Sequence, residues 1–149
     1  MAYQHILVAL DLSEESSQVL QKAQKLGQAN DAKVSAVTVV KPLTQVYGGL
    51  DMAPISSGAI SFEEEAVKQA QGQLKEVVAP YGIAAEASHV VLGAPSHEIK
   101  QCAHDLGVDL IVIGTHGRHG LGLLLGSTAN GVLHGVDCVV LAVRIAFEE

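Results

Sequence analysis

The sequence predicts an α/β fold: a single doubly wound domain over residues 1–149, with a five-stranded parallel sheet and helices on both faces. Apolar runs of strand length alternate along the chain with segments that have helical periodicity. The strand-like runs are apolar at successive positions, which is typical of parallel strands covered on both faces. With 48% hydrophobic and 3% aromatic residues, we expect a core of Val, Ile, Leu and Ala.

The alternation places nine elements. We predict strands at His5–Leu10, Lys33–Val40, Glu86–Leu92, Leu110–Gly114 and Cys138–Val143, and helices at Glu14–Gln28, Ser61–Ala79, Pro95–Leu106 and Thr128–His134. Val19, Leu20, Ala23 and Leu26 give the first helix one apolar stripe, and Ser13 is its expected cap.

Capping and breaking residues set the other boundaries. The run Ser61-Phe62-Glu63-Glu64 reads as a capping box that opens the second helix, which Pro80 and Gly82 end. Pro95 opens the third helix, and Gly107 turns the chain into the fourth strand. Between the second strand and the second helix, residues 41–60 are rich in Pro, Gly and Ser and predict a long, mobile connection.

Charge and cysteine content exclude several classes of protein. The net charge is −7 with 9 Lys and Arg, which argues against nucleic acid or an anionic membrane as a partner. Cys102 and Cys138 are isolated thiols, typical of a structural role in a reducing compartment. We find no signal peptide and no apolar run of membrane-spanning length, so we expect a cytoplasmic protein without membrane insertion.

A glycine-rich loop after the fourth strand is the main functional signal. It runs from Gly114 to Gly126, and Ser127-Thr128 follows at the start of a predicted helix. Glycines let the backbone approach a phosphate closely, and a helix start adds unpaired N–H donors. Asp11 follows the first strand, so Asp11 and the loop should share the carboxyl edge of the sheet, where such folds bind ligands.

The better-known nucleotide motifs do not fit these glycines. A P-loop requires a lysine after its last glycine, whereas Gly126 is followed by Ser127. The Gly120-Leu121-Gly122 run lacks the third glycine of the Rossmann fingerprint, and it lies in the fourth strand–helix unit rather than the first. No nucleophile elbow is present, and the seven histidines show no zinc-ligand spacing.

Three separated segments resemble the universal stress protein family. They are the run from Ile6 to Ser13, the run Gly114-Thr115-His116-Gly117, and Gly126-Ser127. The resemblance covers essentially the whole chain. Its ATP-binding members resemble G-x2-G-x9-G-[S/T]; here eight residues instead of nine separate Gly117 from Gly126, which we expect to change the path of the loop.

The resemblance implies an adenine-nucleotide site and a homodimer. Asp11 would accept hydrogen bonds from the ribose or adenine, Val39 would contact the adenine, and the loop would line the ribose and phosphates. Mg²⁺ or Mn²⁺ would bind through the phosphates, and two copies would pair along the last strand, 139–143. The implied cofactor-binding residues are Leu10, Asp11, Val39, Gly114, His116, Gly117, Arg118, Gly126, Ser127 and Thr128.

Alternatives remain open at this point. Asp11 could serve only the start of the first helix. Typical UspA-type members, which the opening residues resemble, lack the glycines and hold no ATP. We expect a non-enzymatic sensor in stress resistance, because a P-loop lysine and an evident base are absent; a slow ATPase or phosphotransfer enzyme is the second hypothesis.

Overall fold

The computed structural model describes residues 2–42, 57–115 and 127–145, with the backbone alone for residues 57–61. The strands are β1 (His5–Ala9), β2 (Lys33–Val40), β3 (Ser88–Leu92), β4 (Leu110–Gly114) and β5 (Val139–Val143). The helices are α1 (Ser16–Asn30), α2 (Ser57–Val78), α3 (Pro95–Leu106) and α4 (Ser127–Leu133). Two short 3₁₀ turns, Ala79–Tyr81 and Ala85–Ala87, join α2 to β3.

The five strands form one parallel sheet in the order β3-β2-β1-β4-β5. Helices α1 and α2 cover one face, and α3 and α4 cover the other. This is the predicted doubly wound architecture with its five parallel strands, so the fold class is confirmed. Its physical basis is clearest in β1, where successive side chains enter opposite layers of the core.

Two apolar clusters make the core, one on each face of the sheet. Ile6 and Val8 of β1 belong to the first cluster with Val19 and Leu20 of α1. Leu7 and Ala9 belong to the second cluster, which α3 and α4 cover through residues such as Ile99, Ala103, Ala129 and Val132. Because β1 is buried from both sides, its apolar run has no alternation with polar residues.

Several predicted boundaries were wrong by a few residues. Helix α1 begins at Ser16 and its N-cap position, Glu15, makes no side-chain capping bond, so Ser13 is not the cap. Helix α2 begins at Ser57, before the expected capping box, so 57–60 of the expected connection is helical. Strand β3 begins at Ser88 because Ala85–Ala87 forms a 3₁₀ turn. Residues 43–56 of that connection lie outside the described residues.

Helices α3 and α4 pack closely at one glycine. A Cβ atom built on Gly131 of α4 would lie 2.6 Å from the Cβ of Ser96 in α3. At the far end of α4, the Lys100 ammonium donates to the His134 carbonyl oxygen at 2.9 Å. Gly131 therefore permits a helix–helix approach that any larger residue would obstruct.

The amino-terminal edge of the sheet is held by one carboxylate. Asp109, just before β4, accepts hydrogen bonds from the backbone N–H groups of Gln4 (2.9 Å) and His5 (3.0 Å). The His5 carbonyl oxygen in turn accepts from the Asp109 N–H at 3.0 Å. Burial alone would raise the pKa of Asp109, but the hydrogen bonds from Gln4 and His5 outweigh it and lower that pKa.

His5 connects three elements at the same edge. Its Nε2 lies 2.7 Å from the hydroxyl oxygen of Ser35, a fully buried residue of β2, and its ring also bonds the Leu106 backbone at the end of α3. Burial and the nearby Lys33 charge lower the pKa of His5. The neutral ring is therefore the form that suits the folded protein.

We expect Gly131→Ala to lower the free energy of unfolding by about 1–3 kcal/mol, because the new methyl group overlaps Ser96. Gly72→Ala is the matched control: apart from the adjacent backbone of its own helix, no described atom lies within 4 Å of a Cβ there, and alanine favours the helix by about 0.5–1 kcal/mol. Urea unfolding of both variants measures the difference. Equal stabilities would contradict the close α3–α4 contact.

His5 predicts a pH dependence of stability. Its pKa is lower in the folded protein than the value of about 6.5 in the unfolded chain, so the unfolded chain binds more protons between these two values. The His5 contribution is complete above about pH 6.5 and decreases as the pH falls toward the lowered pKa. In urea titrations from pH 8 to 5, His5→Asn should therefore lose less stability than the wild-type protein. Parallel pH profiles would refute the assignment.

Candidate functional site

The order of the strands reverses at β1, next to the carboxyl ends of β1 and β4. The chain leaves β1 through α1 to reach β2 on one side, whereas β4 pairs with β1 on the other side, with Ala9 beside Ile113. Such a reversal of strand order is where open α/β sheets bind ligands. The segments that follow these two strands, Leu10-Asp11 and Gly114-Thr115, therefore meet at the point that the sequence predicted.

Asp11 is exposed at this edge, and one of its carboxylate oxygens is fixed by the turn that follows. Oδ1 accepts hydrogen bonds from the Ser13 backbone N–H at 3.0 Å and the Ser13 hydroxyl at 2.6 Å, with the Ser16 hydroxyl at 3.5 Å. Among the residues that the structure describes, none donates to Oδ2. The carboxylate is thus oriented, and one oxygen can accept bonds from a ligand.

These bonds define the local role of Asp11. The carboxylate closes a turn of the type in which an aspartate accepts the N–H two residues later, rather than capping α1. The hydroxyl that was expected to cap α1, that of Ser13, donates to Asp11 instead. Ser16 is the first residue of α1 and is 3% exposed, and the sequence analysis did not predict a role for it. The only signal in the sequence was its short distance along the chain from Asp11.

Leu12 was also missed, although it has the least usual backbone of the turn. Its φ is +60°, in the left-handed region that leucine rarely adopts. Its partly buried side chain packs against the first apolar cluster. No sequence pattern indicates a left-handed leucine, because the preference of the residue opposes it.

Leu10 and Val39 lie on opposite sides of the sheet. Leu10 is 6% exposed and belongs to the first cluster, and its N–H donates to the Val37 carbonyl oxygen at 2.9 Å. Val39 is partly buried, packs against the second cluster and lies beyond the last β2 residue that pairs with β1. The Leu10 N–H is therefore already bonded within the sheet, whereas Val39 presents a partly buried apolar side chain from β2.

Gly114 ends β4, and Thr115 follows it, beside the carboxyl end of β5. The Thr115 N–H donates to the Val143 carbonyl oxygen at 2.9 Å, and the Thr115 hydroxyl oxygen lies 3.4 Å from the Ile145 N–H that donates to it. A Cβ on Gly114 would lie 3.2 Å from a side-chain atom of Ile145. These contacts hold the first residues of the glycine loop at a defined position.

The remaining predicted site residues fall into two groups. Ser127 and Thr128 are the first residues of α4; Ser127 is exposed and Thr128 is partly buried. His116, Gly117, Arg118 and Gly126 lie outside the described residues, so their place in the site stays a prediction.

The described residues contain other potentially reactive groups, and these lie elsewhere. Cys102 and Cys138 are free and pack against the second cluster. Burial, followed by the Asp105 and Glu98 charges, raises the pKa of Cys102 to about 11, and burial raises that of Cys138. Both thiols are protonated near neutral pH and are poor nucleophiles, in keeping with the expected structural role.

In residues 2–42, 57–115 and 127–145, no three His, Cys, Asp or Glu side chains are arranged to hold a metal ion. No helix in these ranges combines the length and the hydropathy needed to cross a bilayer.

Comparisons with known proteins agree with this architecture. The sequence profile of the universal stress protein family matches residues 2–144. Universal stress protein A homolog 1 of Coxiella burnetii is 38% identical over 143 residues, which cover 96% of this chain and 97% of the relative.

Two solved structures show the same fold. Hypothetical protein MJ0577 superposes with a TM-score of 0.79 at 22% identity, covering 99% of this chain and all of that one. A universal stress protein in complex with cAMP superposes with a TM-score of 0.63 at 23% identity, covering 98% and 100% of the two chains. By its sequence profile and its curated relatives, this chain belongs to the universal stress protein family.

Proposed function

We propose that this protein binds ATP or a related adenine nucleotide at the carboxyl ends of β1 and β4 and acts as a non-enzymatic sensor or regulator in the stress response. The observation that carries the proposal is the exposed Asp11 carboxylate at the reversal of strand order, with Oδ1 fixed by Ser13. A carboxylate held in this way is an acceptor for the paired hydroxyls of a ribose.

The other residues complete a nucleotide site of ordinary chemistry. Val39 presents an apolar surface to the base, and the Leu10 backbone lies beside Asp11. Gly114, Gly117 and Gly126 are proposed to line the phosphates because glycine has no side chain, and Arg118 and His116 are proposed to favour the negative charge. Ser127 and Thr128 add hydroxyls and the N–H groups of the first turn of α4, which have no partners within the helix.

The fold and the ligand of a related structure support an adenine nucleotide. A universal stress protein with this fold was solved in complex with cAMP, a phosphorylated adenosine. No three described side chains form a cage for a metal ion. Mg²⁺ or Mn²⁺ is proposed to bind through the phosphates of the nucleotide, as Mg²⁺ commonly does.

The experiment that tests the function is identification of the nucleotide carried by the freshly purified protein. Mass spectrometry of the material released on denaturation should detect ATP or another adenine nucleotide at a substantial fraction of the protein concentration. Incubation with labelled ATP should then give bound nucleotide without steady production of ADP. Turnover that Gly117→Val abolishes would instead establish the slow ATPase.

Asp11→Asn should weaken ATP binding about tenfold, because a neutral amide replaces the charged carboxylate that accepts hydrogen bonds from the ribose hydroxyls. The matched control is Asp31→Asn, the same change at an exposed residue in the turn that ends α1. Titration calorimetry of the three proteins gives the dissociation constants. Equal affinities for Asp11→Asn and the wild-type protein would remove Asp11 from the site.

Gly126→Val should abolish nucleotide binding and leave the domain folded, because the side chain would occupy space needed by the phosphates. Calorimetry measures the binding, and circular dichroism with thermal unfolding checks the fold. A folded variant with unchanged affinity would exclude this glycine from the phosphate site.

The last strand supports a homodimer. Strand β5 lies at one edge of the sheet, and Val139 at its start is 52% exposed. An apolar edge strand favours pairing with a second copy, as proposed along residues 139–143.

Val139→Lys should convert the dimer to a monomer in sedimentation equilibrium, because edge lysines oppose strand pairing. Leu92→Lys is the control: Leu92 is 40% exposed at the end of β3, the opposite edge of the sheet. Dissociation by Leu92→Lys alone would place the interface at the β3 edge.

The proposal also covers the cellular compartment and the number of domains. The cytoplasm suits a protein whose two cysteines are free thiols. Residues 1–149 are proposed as one domain, since one sheet collects all the described strands.

A further inference from the structure

The turn between β1 and α1 contains an unusual backbone conformation. Among residues 2–42, 57–115 and 127–145, the non-glycine residues with positive φ are Leu12, at +60°, and Asp31, at +52°. Asp31 ends α1, and an aspartate tolerates this region well. Leu12 has neither explanation, so the surrounding structure must hold it there.

Contacts on both sides hold Leu12 in place. Its side chain packs against the first apolar cluster, which includes Leu10 and Val19. On either side of it in the chain, Asp11 and Ser13 are joined by the bonds from the Ser13 N–H and hydroxyl to Asp11 Oδ1. The apolar side chain is thus directed to the core while the neighbouring carboxylate remains exposed.

In this turn, Leu12 supplies the anchor to the core and Asp11 supplies the group that would bind the ligand. The Ser13 N–H reaches the Asp11 carboxylate across the left-handed backbone of Leu12. Without an anchor, the turn could sample other conformations, and ordering it would oppose binding of a ligand. An anchored turn holds the carboxylate ready before the ligand arrives.

We infer that Leu12 is a positioning residue for the nucleotide: its partly buried side chain anchors a left-handed turn that orients the Asp11 carboxylate toward the ribose. The inference rests on the proposed function. It assigns to Leu12 no contact with the ligand, because its side chain packs on the core.

The test compares variants of residue 12 that differ in two properties: whether the side chain is apolar, and whether the residue accepts a positive φ. Leu12→Gly and Leu12→Asn both accept positive φ but lack the apolar anchor, whereas Leu12→Met retains one. We expect ATP affinity, measured by calorimetry, to fall about tenfold in the Gly and Asn variants and to stay within about twofold in Leu12→Met. Two anchor-free variants guard against a single failure to fold.

Leu26→Ala controls for loss of packing alone. Leu26 is a partly buried residue of α1 that packs against the same cluster. This variant should lower the melting temperature and keep wild-type affinity. A loss of affinity as large as that of Leu12→Gly would make the effect one of general stability and overturn the inference.

Amide hydrogen exchange of the nucleotide-free proteins gives a readout that does not depend on binding. We expect the Ser13 amide to exchange about tenfold faster in Leu12→Gly than in the wild-type protein or Leu12→Met. If Leu12→Gly kept wild-type ATP affinity or an unchanged Ser13 exchange rate, the role of Leu12 would be overturned and the proposed function would stand. Absence of ATP binding by the wild-type protein would overturn the proposed function and the inference with it.

Discussion

The burial of β1 between β2 and β4 is the constraint on which the rest of the structure depends. Its four residues Ile6 to Ala9 are at most 5% exposed, and they contribute alternately to the two apolar clusters. Loss of this strand would separate the sheet into two parts and expose both layers of the core. The same central position also creates the reversal of strand order, the place where open α/β sheets bind ligands.

Polar groups at the two ends of β1 have different consequences. At the amino end, Asp109 accepts the backbone N–H groups of Gln4 and His5, and the His5 ring connects β1 to β2 and α3. These bonds stay within the protein and serve stability. At the carboxyl end, Asp11 keeps an exposed carboxylate whose Oδ1 alone is bonded by described residues. The amino end of β1 is therefore held by bonds within the protein, whereas its carboxyl end offers a carboxylate to a ligand.

The parts of the fold predicted from sequence are those governed by burial. Buried strands such as Leu110–Gly114 need continuous apolar residues, and this pattern is visible without a structure. Helix starts were less predictable, because local capping signals compete with tertiary contacts. Ser61 and Glu64 have the spacing of a capping box, yet α2 begins at Ser57 and continues through these positions. Ser13 is a good capping residue, yet its hydroxyl serves Asp11.

The candidate site was predictable to the extent that topology determines it. Parallel strands bring Asp11 and Gly114 to one edge whatever their side chains do. The conformation of Leu12 could not be predicted, because it opposes the intrinsic preference of the residue and its side chain packs against a cluster assembled from separate parts of the chain. Ser16 was missed for a similar reason. Its side chain is buried and its hydroxyl donates to the Asp11 carboxylate of the turn, a contact that the apolar periodicity of α1 does not indicate.

The central claim is that an adenine nucleotide binds where β1 and β4 end. Titration of ¹⁵N-labelled protein with ATP and Mg²⁺, followed by amide chemical shifts, tests it most directly. The account predicts the largest shifts at Leu10 to Ser13 and at Gly114 and Thr115, with small shifts at His5 and Asp109 on the opposite edge of the sheet. Saturable shifts centred on the His5–Asp109 edge, or none at millimolar ATP, would contradict it.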